Sequence, residues 1–301
     1  MEFPLPWAIG IHDNLSWMLM IIFFAGHIGL HPEEKRLRDI SAIQYSLHWL
    51  FSFCEPLILK LVDYLFSSKT FTGTKWGQII LLLIAKASWA LPHGIVITTE
   101  AAERMIDFIT KNEGPKGAHF AIGPCVCQRS MNRYKEPVIK DIFLLYAADI
   151  FMSLKRGFRL ISAEELKGKL REFHKIGLVH ELDFCMHSGK WTFCICNCEK
   201  DICAVTRAYL LTGELLWAGP EVATCDLTLC VGVDKCGTCI DRCIFDAIPV
   251  VDGKASIDYE KCMGCGLCVS TCPGKARKMV KRKDYGHQHQ VPAEILLGES
   301  G

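Results

Sequence analysis

Hydrophobic and polar positions divide the chain into stretches of different character. Asn14 to Leu30 carries no charged side chain and sits at the short limit of the roughly 17–25 residues that span a bilayer. Lys35, Arg36 and Arg38 follow directly, so a span there would leave the rest of the chain on the cytoplasmic side. Leu47 to Phe66 interleaves apolar residues with Glu55, Lys60 and Asp63, as in a helix with one buried face. Trp76 to Thr98 is long enough to span but contains Lys86, Pro92 and His93. These segments read either as core helices or as a surface docked on a membrane or partner, with 14–30 and 76–98 the candidates for membrane contact. Two crossings would carry the remainder outside the cell, so at most one is expected.

Further on the periods change. Thr98-Thr99-Glu100 caps an apolar-periodic run through Ile109, and Gly114-Pro115 stops it, which predicts a helix. Ser162 and Glu165 form a capping box, each side chain expected to satisfy a free backbone donor. Leu166, Leu170 and Phe173 then share a face until Gly177. Trp191 to Cys198 alternates as a strand, with Trp191, Phe193 and Ile195 toward a core and Thr192, Cys194, Cys196 and Cys198 on the other face. Val250 to Ile257 alternates around Asp252-Gly253, a hairpin signal.

Composition narrows the classes. The formal net charge of +1 over 301 residues argues against a nucleic-acid binder. There are 17 cysteines, an odd number clustered in C-x-C and C-x-x-C spacings, which points to metal ligation rather than a disulfide scaffold. Thiolate ligands need a reducing setting, hence a cytoplasmic location, with the cytoplasmic face of a membrane as an attachment point. Residues 1–13 lack a basic start and no small-residue cleavage site follows, so no secretory signal is expected. His27 and His31, spaced for one helix face, are more often core or interface histidines than haem ligands, and there is no C-x-x-C-H. No phosphate-binding loop or G-x-G-x-x-G is present, and no catalytic triad can be argued.

One cysteine pattern is written twice. Cys236-Gly-x-Cys239-x3-Cys243 recurs 29 residues on as Cys265-Gly-x-Cys268-x3-Cys272. With Cys262 and Pro273 the second copy reads C-x2-C-x2-C-x3-C-P, a ligand run for cubane iron–sulfur clusters. Val233 stands where the first copy should hold the counterpart of Cys262. Residues 224–282 resemble the bacterial-type ferredoxin with two [4Fe-4S] clusters. In that family the fourth cysteine of each run ligates the other cluster. The resemblance therefore implies one cluster on Cys262, Cys265, Cys268 and Cys243, and most of a second on Cys236, Cys239 and Cys272. A three-residue insertion, Val233 to Lys235, would make Cys230 the displaced ligand. Cys225, or a three-iron cluster with an open corner, are the alternatives.

Upstream, Cys125 and Cys127 form another C-x-C pair, to which Cys194, Cys196, Cys198 and Cys203 add four more thiols. Two separate C-x-C motifs favour metal over free buried thiols, a third iron–sulfur cluster first and zinc second. Cys54 and Cys185 stand alone and read as structural. Residues of about 90–280 are similar to a group of multi-cysteine 4Fe-4S proteins from anaerobes. Ile122-Gly-Pro-Cys125-Val-Cys127, Gly177-Leu-Val-His180 and Ile195-Cys196-Asn197-Cys198 carry that likeness, and Gln128, Tyr134 and Asp141 depart from it. Lys275, Arg277, Lys278, Lys281, Arg282 and Lys283 read as a solvated basic surface or as a docking patch for an acidic partner or anionic lipid.

The expected fold class is α+β. It comprises a mostly helical hydrophobic region (1–97), a mixed α/β cysteine-bearing middle domain (98–223), a dicluster ferredoxin-like domain (224–282) and a flexible tail (283–301). The expected function is single-electron transfer to or from a redox partner or larger oxidoreductase complex. An oxidoreductase with a substrate-active middle cluster, or a non-catalytic cluster scaffold, are the alternatives.

Overall fold

The computed structural model describes residues 37, 40, 42–87, 93–114, 116–184, 192–287 and 291–298. Segment 14–30 with His27 and His31, residues 88–92 of the second apolar stretch, Cys185, Trp191 and His289 lie outside them. Among the described residues no helix is long and apolar enough to cross a membrane. The chain is α+β.

Three helices come first: α1 (Ala42–Ser67), α2 (Lys69–Thr72) and α3 (Lys75–Ala87). α1 is amphipathic, but its polar stripe faces the protein. Asp63 pairs with Arg133 at 3.1 Å and Arg207 at 2.7 Å, and the carbonyls of Ser52 and Phe53 accept from Arg156 at 2.8 and 3.0 Å. The apolar stripe of Leu50, Phe53, Leu57, Leu61 and Tyr64 faces outward, and α3 extends it with Trp76, Ile79, Ile80 and Leu83. The apolar stripe is thus exposed rather than packed in a core. Three arginines on the covered surface take up the carboxylate and carbonyls of the helix, which fixes the polar side inward.

A mixed seven-stranded sheet follows, in the order β4-β2-β3-β6-β5-β1-β7. Along the chain its elements are β1 (His93–Ile97), α4 (Thr99–Glu113), β2 (Phe120–Pro124), α5 (Val126–Met131), β3 (Ile139–Leu144), α6 (Leu145–Ser153), β4 (Arg159–Leu160), α7 (Ala163–Ile176), β5 (Val179–Phe184), β6 (Thr192–Cys198), α8 (Ala204–Thr212) and β7 (Leu216–Trp217). β1 runs parallel to β7, and the other neighbours pair antiparallel. β1, which sequence patterning put at the end of the hydrophobic N-terminal region, is an interior strand of this sheet.

Capping explains the two longest helices packed on the sheet. Thr98 accepts from the Ala101 amide at 3.1 Å, and Gly114 closes α4 at φ +70°. Ser162 accepts from the Glu165 amide at 3.2 Å, and Gly177 closes α7 at φ +98°. The reciprocal half of the expected capping box is missing. The Glu165 carboxylate bonds Arg159 at 2.7 Å instead, because a charged guanidinium outcompetes a neutral amide. Both faces of the sheet are covered, so Ile195 and the thiols of Cys194 and Cys198 on opposite faces of β6 are all buried.

The C-terminal region has little regular structure: β8 (Glu221–Cys225), α9 (Thr238–Asp241), β9 (Val250–Val251), β10 (Lys254–Ala255), α10 (Leu267–Ser270) and β11 (Arg277–Lys281). Asp252 at φ +48° and Gly253 at φ +72° turn the β9–β10 hairpin, as the Asp-Gly pair requires. β8 and β11 pair antiparallel from Glu221↔Lys281 to Cys225↔Arg277 and join the two ends of the region. An apolar seam of Val96, Val179, Leu216, Phe245, Met263 and Leu267 packs it on the sheet. Residues 291–298, expected in a flexible tail, form α11 (Ala293–Leu297) against α4, with Leu296 fully buried. His287 stacks on Trp217 at 3.7 Å.

His180 anchors the α4–sheet core. Its ring lies between Thr99 Oγ1 at 3.1 Å and Asn197 Oδ1 at 2.6 Å. Burial holds its pKa down to about 4 from 6.5. A histidine kept neutral when folded contributes its stability above its unfolded pKa, and that contribution fades as pH falls toward the folded value. Between pH 6.5 and 4 this residue should therefore withdraw up to about 3 kcal/mol of unfolding free energy. Urea melts across that range should show the loss in the wild type and a smaller one in His180→Gln.

Candidate metal centres

Among the described residues, cysteines line three cavities. Cys230, Cys236, Cys239 and Cys272 surround the first. Cys243, Cys262, Cys265 and Cys268 surround the second. The two cysteine runs are crossed: the last cysteine of each lies in the cavity of the other. The third cavity, beside the sheet, is lined by Cys125, Cys127, Cys196, Cys198 and Cys203. Cys194 lies next along β6, its sulfur 3.3 Å from that of Cys196. All these cysteines are free thiols, and Cys54 sits apart in α1.

Backbone geometry shapes the first two cavities. Val233 to Lys235 fold into a turn, with the Val233 amide on the Gly253 carbonyl at 2.9 Å and the Cys236 amide on the Gly232 carbonyl at 3.1 Å. That turn leaves Cys230 at the cavity wall. Backbone amides of Gly232 and Ala255 hold its thiol below the usual range. Cys225 ends β8 opposite Arg277 and does not line the cavity. In the second cavity the Ala247 amide donates to Cys243 Sγ at 3.4 Å. Burial pushes the Cys265 and Cys268 thiols up, the latter to about 12, so a metal must displace their protons to bind. Gly264 has φ +89°, and a Cβ there would lie 2.2 Å from the Glu221 carbonyl oxygen. Gly266 has φ +77° but open space to 3.5 Å.

Arg277 lies between the two sets. It is 5 % exposed, donates to the Ala255 carbonyl at 2.7 Å, and lies close enough to Cys239, Cys268 and Cys225 for their charge to hold its guanidinium up against burial. Arg282 also turns inward, donating to the carbonyls of Cys262 at 2.5 Å and Gly219 at 3.0 Å. These two residues therefore leave the expected basic surface. The signal available in sequence was the strand alternation of Arg277-Lys-Met-Val-Lys281, which sets Arg277 and Lys278 on opposite faces.

The sheet cavity is rich in buried polar groups that sequence reasoning missed. Glu181 pairs across β5–β6 with Cys196, and Asp183 with Cys194. Glu181, Cys198 and Cys203 bring three ligand atoms within 4.8 Å of one another, as do Asp183, Cys194 and Cys196. Burial raises both carboxyls well above the usual range, and it raises Asp141 to about 6. Glu181 accepts from Thr206 Oγ1 at 2.6 Å, and Asp141 accepts from the Val126 amide at 2.7 Å. Lys140, 1 % exposed, bonds Glu199 at 2.8 Å. Burial opposes its charge, but Glu199 and the nearby Cys125 and Cys198 hold the ammonium above its ordinary value. Bonds from Cys127 and Cys198, with Thr206, hold Cys203 well below the usual thiol range. Glu181 and Asp183 share the period of Cys194 and Cys196, and that alternation was the one sequence signal for them.

Soft sulfur donors in fours, with glycines at the close backbone approaches and amides directed at sulfur, fit a cubane iron–sulfur cluster in each of the first two cavities. Residues 255–278 match the model of the 4Fe-4S binding domain. The PorD subunit of pyruvate synthase from Methanothermobacter marburgensis is 42 % identical over 50 residues, covering 17 % of this chain and 62 % of that protein. A subunit of the ion-translocating oxidoreductase complex of Methanosarcina acetivorans is 48 % identical over 46 residues, covering 15 % of this chain and 17 % of that one. A subunit of the Na(+)-translocating ferredoxin:NAD(+) oxidoreductase complex of Acetobacterium woodii is 48 % identical over 45 residues, covering 15 % and 14 %. The chain thus spans less than two thirds of the curated relatives it matches. No solved structure matches it. The C-terminal region is a ferredoxin-type 4Fe-4S binding domain.

The two glycines of the second run should respond differently to substitution. Gly266→Ala carries only the left-handed backbone penalty of about 1–2 kcal/mol. Gly264→Ala adds a collision with the Glu221 carbonyl. On anaerobically loaded protein, Gly264→Ala should surrender iron to a chelator markedly faster than Gly266→Ala.

Proposed function

We propose that this protein passes single electrons through two [4Fe-4S] clusters in its C-terminal region, as a subunit of a larger oxidoreductase. The pair of crossed four-thiol cavities carries this reading. Cys230, Cys236, Cys239 and Cys272 would hold one cluster, and Cys243, Cys262, Cys265 and Cys268 the other. When bound, such a cluster exchanges one electron at a time at a potential set by ligation, hydrogen bonds and burial. The chain supplies those settings. Gly232 and Ala255 direct amides at Cys230, Ala247 directs one at Cys243, and Phe245, Ile248 and Ile257 line the second cavity with apolar surface. Arg277 offsets the negative charge of both thiolate sets from a buried position.

A complex as partner is supported by the relatives, which are subunits of a pyruvate synthase and of oxidoreductase complexes. The outward apolar stripe of α1 and α3 supports attachment at that end, to a neighbouring subunit or to the cytoplasmic face of a membrane. A reducing, cytoplasmic setting suits thiolate ligands.

Iron and sulfide analysis with EPR on anaerobically prepared full-length protein tests the ligand sets. Cys230→Ala should lose one cluster, about four irons, and Cys225→Ala should keep both; the reverse result would overturn the assignment. Arg277→Met removes a positive charge that favours the added electron. It should shift the midpoint potentials of both C-terminal clusters to more negative values in a redox titration, with Arg277→Lys shifting them less.

A further inference from the structure

The two-cluster relay leaves a dense set of buried thiols without a role. Cys125, Cys127, Cys196, Cys198 and Cys203 line one hollow. Four of them come from different places. Cys125 follows the bulged end of β2, Cys127 is in the first turn of α5, Cys198 ends β6, and Cys203 caps α8. A sheet and two helices therefore hold four soft donors around one space, as a thiolate-bound metal needs.

The hollow has the same enclosed volume, about 20 Å3, as each of the two C-terminal cavities, and five thiols line it where a single zinc ion takes four ligands. The buried Lys140 ammonium lines the space near Cys125 and Cys198, together with Glu199, which pairs with it, and Asp141, and the Thr206 amide donates to Cys203 Sγ at 3.5 Å. Cys196 is drawn aside toward Cys194 and Asp183. The position is equally informative. The apolar seam that packs Cys243 and Cys265 of the second cavity also contains Val179, paired across the sheet with Cys198, and Val205, two residues beyond Cys203. The seam thus includes residues next to both cavities.

We propose that the sheet cavity binds a third iron–sulfur cluster on Cys125, Cys127, Cys198 and Cys203, packed next to the cluster of Cys243, Cys262, Cys265 and Cys268. The adjacency rests on the two-cluster reading above; the third site itself does not. The test uses full-length protein reconstituted anaerobically with iron and sulfide, analysed for iron, sulfide and zinc and examined by EPR after dithionite reduction. Wild type should carry about twelve irons. Cys127→Ser/Cys203→Ser should carry about four fewer and keep both C-terminal cluster signals, which also report that it folds. Cys265→Ser/Cys268→Ser should remove a different four and abolish the magnetic splitting of the third signal by its neighbour. Unchanged iron in Cys127→Ser/Cys203→Ser, or loss of one zinc instead, would overturn the proposal. If that variant loses all iron, Cys125→Ser decides by the same difference. Cys194→Ser should leave the third cluster in place, and its loss there would overturn the ligand set. Failure of the two-cluster reading would appear separately, as unchanged iron in Cys265→Ser/Cys268→Ser.

Discussion

Four sulfurs must meet around one hollow, and no short piece of chain can bring more than three of them there. That constraint organises the C-terminal region. Its helices are four residues long and its hairpin strands two, too short to be stable alone. The β8–β11 pairing and an apolar cluster of Val222, Ala223, Ala247, Ile248, Ala255 and Ile257 hold the two halves together, and Cys243 and Cys272 each line the cavity of the other run. Metal affinity in such a region is also folding free energy, because the thiols are not gathered in the unfolded chain. The turns that look irregular, at Gly232, Gly237, Gly264 and Gly266, are the places where the backbone must come close to sulfur.

The sheet meets the same requirement by other means. Its thiols stand on elements fixed by an extensive hydrophobic core, so their positions depend far less on any bound group. The cost moves to polar groups. Glu181, Asp183, Asp141, Lys140 and Glu199 are all buried beside the cysteines. Burial favours neutral carboxyls for the first three, while Lys140 and Glu199 stay charged as a pair. Such a set persists only if each member has a partner, and Thr206, the Val126 amide and Lys135 supply several of them.

Local signals in the sequence translated well into structure. The caps at Thr98 and Ser162, the stop at Gly177, the Asp252-Gly253 turn and the strand through Cys194, Cys196 and Cys198 each depend on neighbours a few residues away. The repeated cysteine run was legible from its spacing, and its crossing followed from the resemblance to two-cluster ferredoxins. What escaped was decided by distant contacts. α1 has an amphipathic pattern, but which side is covered depends on Arg133, Arg156 and Arg207, far along the chain. Arg277 reads as one of a basic run until β11 pairs with β8 and turns it inward. The short segment that forms α11 carries too little pattern to announce a helix packed on α4.

The β8–β11 ribbon has one more consequence. It lays Glu221 beside Lys281, so the chain enters and leaves the ferredoxin region at neighbouring points. A unit whose two ends meet can be spliced into a host loop, excised, or circularly permuted without stretching either side. The same property lets such a cassette travel between unrelated chains over evolution while its interior stays intact.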